Sequence, residues 1–347
     1  MKVDLNEVAC RSAFDISSGT PRALQFNNAA GGADARLRMV ELEDVLYLPS
    51  ALDRGQSVCI ADQAFVPKES VLDCWTVEFL RQSRATNPEW RDRYSDDFEV
   101  DSFRKPVCIL GNLFSRNFGH WTEELLKVAV LERSQTDCCY VISNLPSYAR
   151  ESLDFLGIDE RRIMSVERPT VFERAIFTTA IGHETIGAYP SVLSCLRDLV
   201  QSRLRGGESG YGKRLWLERM EMLTNGGMVV NAEEVHRCLK QYDFDIVDMA
   251  TLSIAEQFKA ASCATTIAGP HGSQFVHAQF MPTSSTVIEC FSPVHVNPSI
   301  LQICQTLKHS YHQIVARSHI IEPYPHGRDC HVDCEHLRLV LDSLRKT

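Results

Sequence analysis

The stretch TTIAGPHGSQFVHAQFMPTSSTVIECF, residues 265–291, decides the fold of this chain. It predicts a buried strand over 265–268, a tight Gly-Pro-His-Gly loop, a helix after Gly272 and a second strand, because small and β-branched residues flank the loop. Gly269 and Gly272 are expected to adopt backbone angles that side chains forbid, and Pro270 stiffens the turn between them. The stretch is therefore typical of a parallel α/β unit.

The start of the predicted helix carries a first functional hypothesis. Unsatisfied N–H groups and the positive end of the helix dipole would point into the loop, where they favour an anion, most often a phosphate. His271 would add a hydrogen-bond donor or a positive charge. The alternative is an ordinary strand-to-helix turn with His271 exposed to solvent, and this stretch alone does not separate the two.

The composition is that of an ordinary globular protein with two domains or one large domain. The chain has 347 residues, 44% of them hydrophobic and 23% charged, and its net charge is −9. Acidic and basic residues are interspersed, without the basic surface typical of nucleic-acid binding, so nucleic acid is not an expected partner. The sequence lacks the run of roughly 18 apolar residues that a membrane helix needs, and its first residues lack the apolar segment of a signal peptide. We therefore expect a cytoplasmic protein, with peripheral attachment to a membrane left open.

Cysteine is abundant, and the tail of the chain contains several residues that bind zinc in other proteins. The 13 cysteines are scattered and often lie in apolar runs, as expected for buried thiols in a reducing compartment. The candidate ligands in the tail are His326, Cys330, His331, Cys334 and His336. Their spacing matches none of the usual structural zinc motifs. The residues from Val332 instead predict an amphipathic helix with an apolar stripe of Leu337, Val340, Leu341 and Leu344, so we expect no metal site.

Strands and helices alternate over most of the chain. Short alternating runs over residues 1–105 predict a β-rich N-terminal region. The alternation begins at 106, is interrupted after 205 by the Gly-rich RGGESGYGK, and continues from 206 to 320. This pattern predicts an α/β fold of two Rossmann-like domains that face a cleft, with ligands beyond the carboxyl ends of the strands.

Two helices of the second half carry capping signals. Asn231 precedes a helix predicted over 232–241, and its spacing from Glu234 is close to a capping box. Ser253 and Glu256 have the S-x-x-E spacing of a true capping box. Capping alone explains Glu256, and ligand binding is the alternative for that residue.

The segment RNFGHWTEELLKVAVLE, residues 116–132, predicts a helix from Gly119 that carries a candidate base. His120 and Glu124 would lie one turn apart on one face, so the carboxylate could orient the histidine for proton transfer. The alternative is a pair that only stabilises the helix. The neighbouring apolar stripe consists of Trp121, Leu125 and Val128.

Two charged residues stand near the ends of predicted strands in the second half. Arg219 ends RLWLER, where its guanidinium could bind a diphosphate in a bidentate manner, or could be an ordinary surface charge. Glu289 lies inside the apolar strand TVIECF. Since an unpaired buried charge is costly, we expect a function for it, such as accepting hydrogen bonds from a ribose diol.

Taken in order, NFGHWTEELL, RLWLER, VVNAEEV, LSIAEQFKAASCATTIAGPHGSQFVHAQFMP and TVIECF resemble glycosyltransferase family 61. That family includes bacterial capsular-polysaccharide enzymes and eukaryotic transferases of xylose and N-acetylglucosamine. The likeness covers about residues 106–325. It implies a GT-B fold in which a C-terminal helix, within 321–347, packs back on the N-terminal domain. It also implies an inverting transfer from a nucleoside-diphosphate sugar, with a UDP-sugar favoured, to a glycan or glycolipid.

The resemblance also suggests roles for individual residues. His120, with Glu124, would remove the proton of the acceptor hydroxyl. The residues expected to bind the donor are Arg219, His271, Gly272, Ser273, Gln274, Glu256 and Glu289. No cofactor and no metal are expected, because no DxD motif stands where a metal-dependent transferase would need one.

The sequence departs from the family pattern at a few positions. Ser273 and Gln274 follow the loop where Ala-Gly is common, Ala232 stands where a glutamate is common, and Lys127 and Val128 replace a usual Pro-Arg pair. These departures keep two alternatives open. One is a catalytically degenerate partner subunit that binds nucleotide or glycan, and the other is a sugar-nucleotide epimerase or hydrolase.

Overall fold

The computed structural model describes residues 20–22, 39–49, 58–61, 64–65, 100–111, 115–178, 182–183, 186–204, 209–219, 228–293, 296–315 and 329–345. The chain divides into two compact units, unit 1 from Met1 to Leu196 and unit 2 from Arg197 to Thr347. The division falls inside a helix that precedes the Gly-rich stretch, and not in that stretch itself. Neither unit contains, among its described residues, a helix long and apolar enough to cross a membrane.

Unit 1 is built on a mixed sheet, nine-stranded over its described residues, with the order β4-β3-β2-β9-β6-β7-β8 and with β1 and β5 paired to β2 and β9. The strands are β1 Thr20–Arg22, β2 Met39–Leu48, β3 Val58–Ala61, β4 Ala64–Phe65, β5 Asp101–Phe103, β6 Val107–Ile109, β7 Cys139–Val141, β8 Ile163–Met164 and β9 Thr170–Thr178. The strands β5 to β9 pair in parallel, whereas β2 pairs with β9 in antiparallel fashion. The strands expected in the N-terminal region are therefore present, and they extend the sheet of the alternating region.

The helices of unit 1 connect its parallel strands. They are α1 Phe118–Arg133 and α2 Ser147–Phe155, and α3 Pro190–Arg203 spans the division between the units. The predicted apolar stripe of α1 is confirmed, because Trp121, Leu125 and Val128 are fully buried. Since β6 and β9 are parallel, their carboxyl ends lie at the same edge of the sheet, and α1 begins beyond that edge.

Unit 2 is built on a parallel sheet with the order β11-β10-β12-β13-β14 over its described residues. The strands are β10 Arg214–Leu217, β11 Asp245–Val247, β12 Thr266–Pro270, β13 Thr286–Phe291 and β14 Ser310–Val315, and the helices are α4 Ala232–Lys240, α5 Ile254–Cys263, α6 Leu301–Leu307 and α7 Cys334–Leu344. The predicted parallel α/β architecture is confirmed here. In a doubly wound sheet of this order, the topological switch point lies between the carboxyl ends of the first and third strands, β10 and β12.

The loop after β12 differs in two respects from the prediction. The helix that follows it, Ser273–Phe280, is a 3₁₀ helix and not an α-helix. Gly269 has φ +158°, and a Cβ atom there would lie 2.6 Å from the Leu217 carbonyl oxygen, so a glycine is required. Gly272 has φ 171°, which is extended backbone, so the expectation of a forbidden angle at this residue was wrong.

One predicted cap is present and one is not. Ser253 and Glu256 form both hydrogen bonds of the capping box at the start of α5. Asn231 makes no capping hydrogen bond to α4 within the described part of unit 2. Its side chain instead donates to the Val332 carbonyl oxygen and accepts from the Val332 N–H, each at 2.9 Å, and it also donates to Glu234.

The C-terminal helix α7 packs inside unit 2. Leu337 and Leu341 belong to the core cluster that contains Trp216 of β10, and Val340 and Leu344 pack against it. This corrects the expectation that the helix returns to the N-terminal domain, because its apolar stripe is already used within unit 2. Cys330 and Cys334 are buried in the same core, and the described residues contain no group of three or more potential metal ligands. His326 lies outside the described residues.

Candidate active site

A histidine–carboxylate cluster lies at the start of α1 in unit 1. The Asn117 side chain caps the helix by accepting from the Gly119 N–H at 2.8 Å, which places His120 in the first turn. His120 Nδ1 lies 3.1 Å from Glu123 Oε2, and the His120 side chain remains 46% exposed. Because a carboxylate oxygen only accepts, His120 donates through Nδ1, and Nε2 is then the basic nitrogen in the neutral ring.

His183 completes this cluster from the segment after β9. Its backbone N–H donates to Glu123 Oε1 at 3.0 Å, and its Nε2 lies 3.0 Å from the Thr122 hydroxyl. The single hydroxyl proton of Thr122 is donated to the Gly119 carbonyl oxygen, so Thr122 accepts from a protonated Nε2 of His183. Glu123 is therefore fixed by contacts on both of its oxygens.

Electrostatics keep Glu123 ionised. Burial alone raises the pKa of Glu123, but the hydrogen bond from His120 and the other interactions with His120 and His183 outweigh it, so the pKa lies below its usual value. Burial lowers the pKa of His183, which therefore stays neutral near pH 7. The cluster thus offers an ionised, fixed carboxylate behind a partly exposed imidazole, which is the arrangement that orients a general base.

Glu124 lies on a different face of α1 from the one predicted. It is fully buried, and both of its oxygens accept from Lys127 Nζ, at 3.0 and 3.1 Å. The predicted pairing of His120 with Glu124 was therefore wrong, and Glu123 is the partner. Lys127, one of the departures from the family pattern, supplies the charge that compensates the buried carboxylate.

In unit 2, two of the predicted residues meet at the switch point of the sheet. Arg219 follows the end of β10, and its Nη1 donates to the His271 carbonyl oxygen at 3.2 Å. His271 directly follows β12, and its backbone N–H donates to the Cys290 carbonyl oxygen of β13 at 2.8 Å. The close packing at Gly269 brings these two strand ends together. The arginine therefore lies beside the loop between Gly269 and Gly272.

His271 is bound to Glu289 from below the loop. Its Nδ1 lies 2.5 Å from Glu289 Oε1, and its ring stacks on Phe291 with 4.9 Å between the ring centres. Glu289 is fully buried, and its other oxygen accepts from the Tyr311 hydroxyl at 2.5 Å. Since each carboxylate oxygen already has a donor, this geometry favours a role in orienting His271 over the predicted contact with a ribose.

The remaining predicted donor residues occupy the same region or have structural roles. Gly272 and Ser273 lie half-buried in the loop, and Gln274 donates to the Pro270 carbonyl oxygen at 2.9 Å. A Cβ atom at Gly272 would lie 3.1 Å from Arg219 Nη1, so the loop backbone directly contacts the guanidinium. Glu256 is exposed and engaged in the capping box, as the capping interpretation predicts.

A tripeptide of DxD form is present, but at the other end of the sheet. It consists of Asp243, Phe244 and Asp245, and β11 begins at its last residue. The carboxylate of Asp245 accepts from the Gly212 N–H. Because the strands of this sheet are parallel, the tripeptide lies at the edge opposite to Arg219 and His271.

Sequence reasoning missed several residues that the structure brings into these sites. They are Thr122, Glu123, His183, Glu218, His236, Phe291 and Tyr311. The spacing could have identified Glu123 as a partner of His120, since it also lies about one helical turn away. Glu218, next to Arg219, binds His236 of α4 at 2.5 Å, and no local pattern links the two. His183 and Tyr311 come close to their partners because of the order of the strands, which the local sequence does not show.

Comparison with known protein families gives a match to one family model. Residues 118–288, about half of the chain, match the family model described as Glycosyltransferase 61. The match begins at the first residue of α1 and ends within β13, so it includes the His120 cluster, Arg219 and the loop at His271. A search of curated proteins gives no match. The chain belongs to glycosyltransferase family 61 and is a glycosyltransferase, an enzyme with a sugar donor and an acceptor.

Proposed function

We propose that the protein transfers a sugar from a nucleoside-diphosphate sugar, with UDP as the favoured nucleotide, to a hydroxyl of a glycan or glycolipid. The transfer inverts the anomeric configuration, requires no metal and serves polysaccharide biosynthesis. A GT-B architecture and a cytoplasmic location are parts of the same proposal. The observation that carries it is the contact between Arg219 and the His271 loop at the switch point of unit 2.

In this proposal the diphosphate binds at the carboxyl ends of β10 and β12. Three groups of unit 2 support this: the Arg219 guanidinium, the His271 imidazole and the N–H groups at the start of the 3₁₀ helix Ser273–Phe280. A guanidinium binds two phosphate oxygens at once, and helix-start N–H groups add donors for the same charge. Donors that are fixed in advance stabilise the negative charge of the departing diphosphate by several kcal/mol. They would thereby replace a divalent cation.

The acceptor is activated by His120. The attacking hydroxyl oxygen forms a bond to the anomeric carbon while the bond from that carbon to the diphosphate oxygen breaks. The hydroxyl proton passes to His120 Nε2, and the electron pair of the broken bond leaves with the diphosphate. Glu123 stabilises the imidazolium that results, since its oxygen lies 3.1 Å from Nδ1. A single displacement of this kind inverts the anomeric carbon.

The test measures donor binding and sugar transfer separately. The full chain is titrated with UDP, GDP and CDP, and is then incubated with the corresponding sugar nucleotides, a glycan mixture and EDTA. We expect His120→Ala to bind UDP normally and to lose at least about 100-fold in turnover. Arg219→Ala should weaken UDP binding and turnover together. Arg214→Ala is the matched control, because Arg214 lies at the amino end of the same strand and donates to the Tyr242 carbonyl oxygen.

Other outcomes would identify the alternatives. Nucleotide binding that depends on Arg219 without transfer to any acceptor would indicate a degenerate partner subunit. Release of free sugar or of an isomerised sugar nucleotide without an acceptor would indicate a hydrolase or an epimerase. Loss of turnover in EDTA that Mg²⁺ or Mn²⁺ restores would refute the metal-independent mechanism.

A further inference from the structure

The carboxylate of Glu289 is the central group of a buried polar chain in unit 2. It is fully buried in β13, accepts from His271 at one oxygen and accepts from Tyr311 of β14 at the other, each at 2.5 Å. Gln313 donates to the Tyr311 oxygen at 3.4 Å, which extends the chain along β14. Of these hydrogen-bonded residues, the proposed function uses only His271.

Glu289 has one hydrogen-bonding partner at each oxygen, His271 at Oε1 and Tyr311 at Oε2. Among titratable groups, His271 and Tyr311 contact Glu289, and the thiols of Cys290 and Cys304 are close enough for its charge to act on them. Burial raises the pKa of both thiols, so they stay neutral, and His271 is the one group of this set that can carry a positive charge. A buried carboxylate without hydrogen-bonding partners is costly, and here the His271 ring and the Tyr311 hydroxyl each contact one of its oxygens.

The Tyr311 hydroxyl is a donor to Glu289. Burial raises the pKa of Tyr311, and the charge of Glu289 with its hydrogen bond raises it further, so the hydroxyl keeps its proton. It occupies Glu289 Oε2, which leaves Oε1 for the imidazole. The Phe291 ring fixes the plane of that imidazole from below. The orientation of His271 therefore depends on β13 and β14 together.

We propose that Tyr311 is a positioning residue of the donor site: through Glu289 it holds the His271 imidazole ring in the orientation that binds the diphosphate. The inference rests on the proposed function, because it assigns the diphosphate to this loop. It adds that a residue on the edge strand β14 acts on the donor without touching it. Removal of the Tyr311 hydroxyl should therefore weaken diphosphate binding only through His271.

The experiment is a double-mutant cycle on nucleotide binding. UDP and uridine are titrated by calorimetry into the wild type, Tyr311→Phe, His271→Gln and the double variant. Loss of one buried hydrogen bond predicts about a 5- to 20-fold weaker Kd for UDP in Tyr311→Phe, with uridine unchanged. In the His271→Gln background the same change should have no further effect. Tyr242→Phe is the matched control, since Tyr242 also donates to a carboxylate, Asp342, at 2.8 Å.

Two results would overturn the inference. One is an equal loss of UDP affinity from Tyr311→Phe in the presence and absence of His271. The other is an equal loss for uridine, which indicates a purely structural role. If the wild type binds no nucleoside diphosphate, the proposed function fails. The positioning role of Tyr311 is then tested by the NMR resonance of the His271 ring N–H. It should shift in Tyr311→Phe and stay unchanged in Tyr242→Phe, and an unchanged resonance in both refutes the positioning role.

Discussion

Glu123 and Glu124 are neighbours in the sequence with opposite environments in α1. Glu123 lies on the face of His120, where its carboxylate is 16% exposed and contacts two histidines. Glu124 lies on the buried stripe with Trp121 and Leu125, and its charge is balanced by Lys127. One helical step of about 100° separates a carboxylate that can orient a base from one that belongs to the core.

This difference gives a prediction at the residue scale. Glu123→Gln should lower kcat by on the order of 100-fold with little change in stability, because the imidazole loses its charged partner. Glu124→Gln should leave kcat nearly unchanged in the folded enzyme and destabilise it by about 3 kcal/mol, because the substitution removes the buried carboxylate charge that both oxygens of Glu124 present to Lys127. Steady-state kinetics and urea unfolding measure the two effects. A Glu124→Gln variant of normal stability with a greatly reduced kcat would show that Glu124, and not Glu123, orients His120.

Only part of the difference between the two glutamates could be predicted from the sequence. The stripe of Trp121, Leu125 and Val128 includes position 124 at the same helical spacing, so burial of Glu124 followed from the pattern. The partner His183 did not, because it reaches Glu123 from beyond β9, and no local pattern shows which distant loop lies over a helix start. Tyr311 was equally hidden, since its contact with Glu289 depends on the pairing of β13 with β14.

At the scale of elements, Asn231 joins α4 to the chain that leads into α7. Its amide makes two hydrogen bonds with the backbone of Val332, and Val229 forms a parallel bridge with Cys330 nearby. The sequence predicted a cap for α4 at this residue, because asparagine before a helix is typical of one. The contact with Val332 replaces the cap, since the two hydrogen bonds satisfy four polar groups at once, two of the Asn231 amide and two of the Val332 backbone.

The contribution of the two hydrogen bonds between Asn231 and Val332 can be compared with that of the true cap at Ser253. Asn231→Ala should destabilise unit 2 by about 2 kcal/mol and speed hydrogen exchange in α7, because two buried backbone groups of Val332 lose their partners. Ser253→Ala should cost about 1 kcal/mol and act on α5 alone. Hydrogen-exchange mass spectrometry distinguishes the two variants. Slow exchange in α7 of Asn231→Ala would mean that apolar packing alone fixes the tail.

At the scale of the whole molecule, the alternation of strands and helices predicted parallel sheets but not the neighbours of each strand. The position of the donor residues depends on that order, because the switch point lies where β12 returns to the far side of β10 from β11. Because Arg219 and His271 each stand at the end of a predicted parallel strand, the alternation already indicated that they lie at one edge of the sheet, and their contact agrees with it. The family resemblance misplaced α7, whose stripe is complementary to unit 2 itself.

Buried histidines give each unit a different sensitivity to acid. Burial lowers the pKa of His183 in unit 1 and of His277, His309 and His312 in unit 2, that of His277 to about 4. In the unfolded chain a histidine takes up its proton near pH 6.5. Between about pH 6.5 and pH 4 the unfolded state therefore binds more protons than the folded state, so stability falls as the pH falls. Above pH 7 these histidines contribute no pH dependence.

The expected effect is large enough to measure unit by unit. Proton uptake at His277 alone should remove up to about 3 kcal/mol from unit 2 by pH 4, and three of the four histidines belong to that unit. Hydrogen exchange at pH 7.0, 6.0 and 5.0, corrected for intrinsic rates, should show unit 2 losing protection first. His277→Gln should flatten its profile. His277 lies between the Gln274 and Gln257 oxygens, at 2.7 and 3.0 Å. An acid-insensitive wild type would therefore mean that these oxygens hold His277 as a cation, which contradicts the prediction.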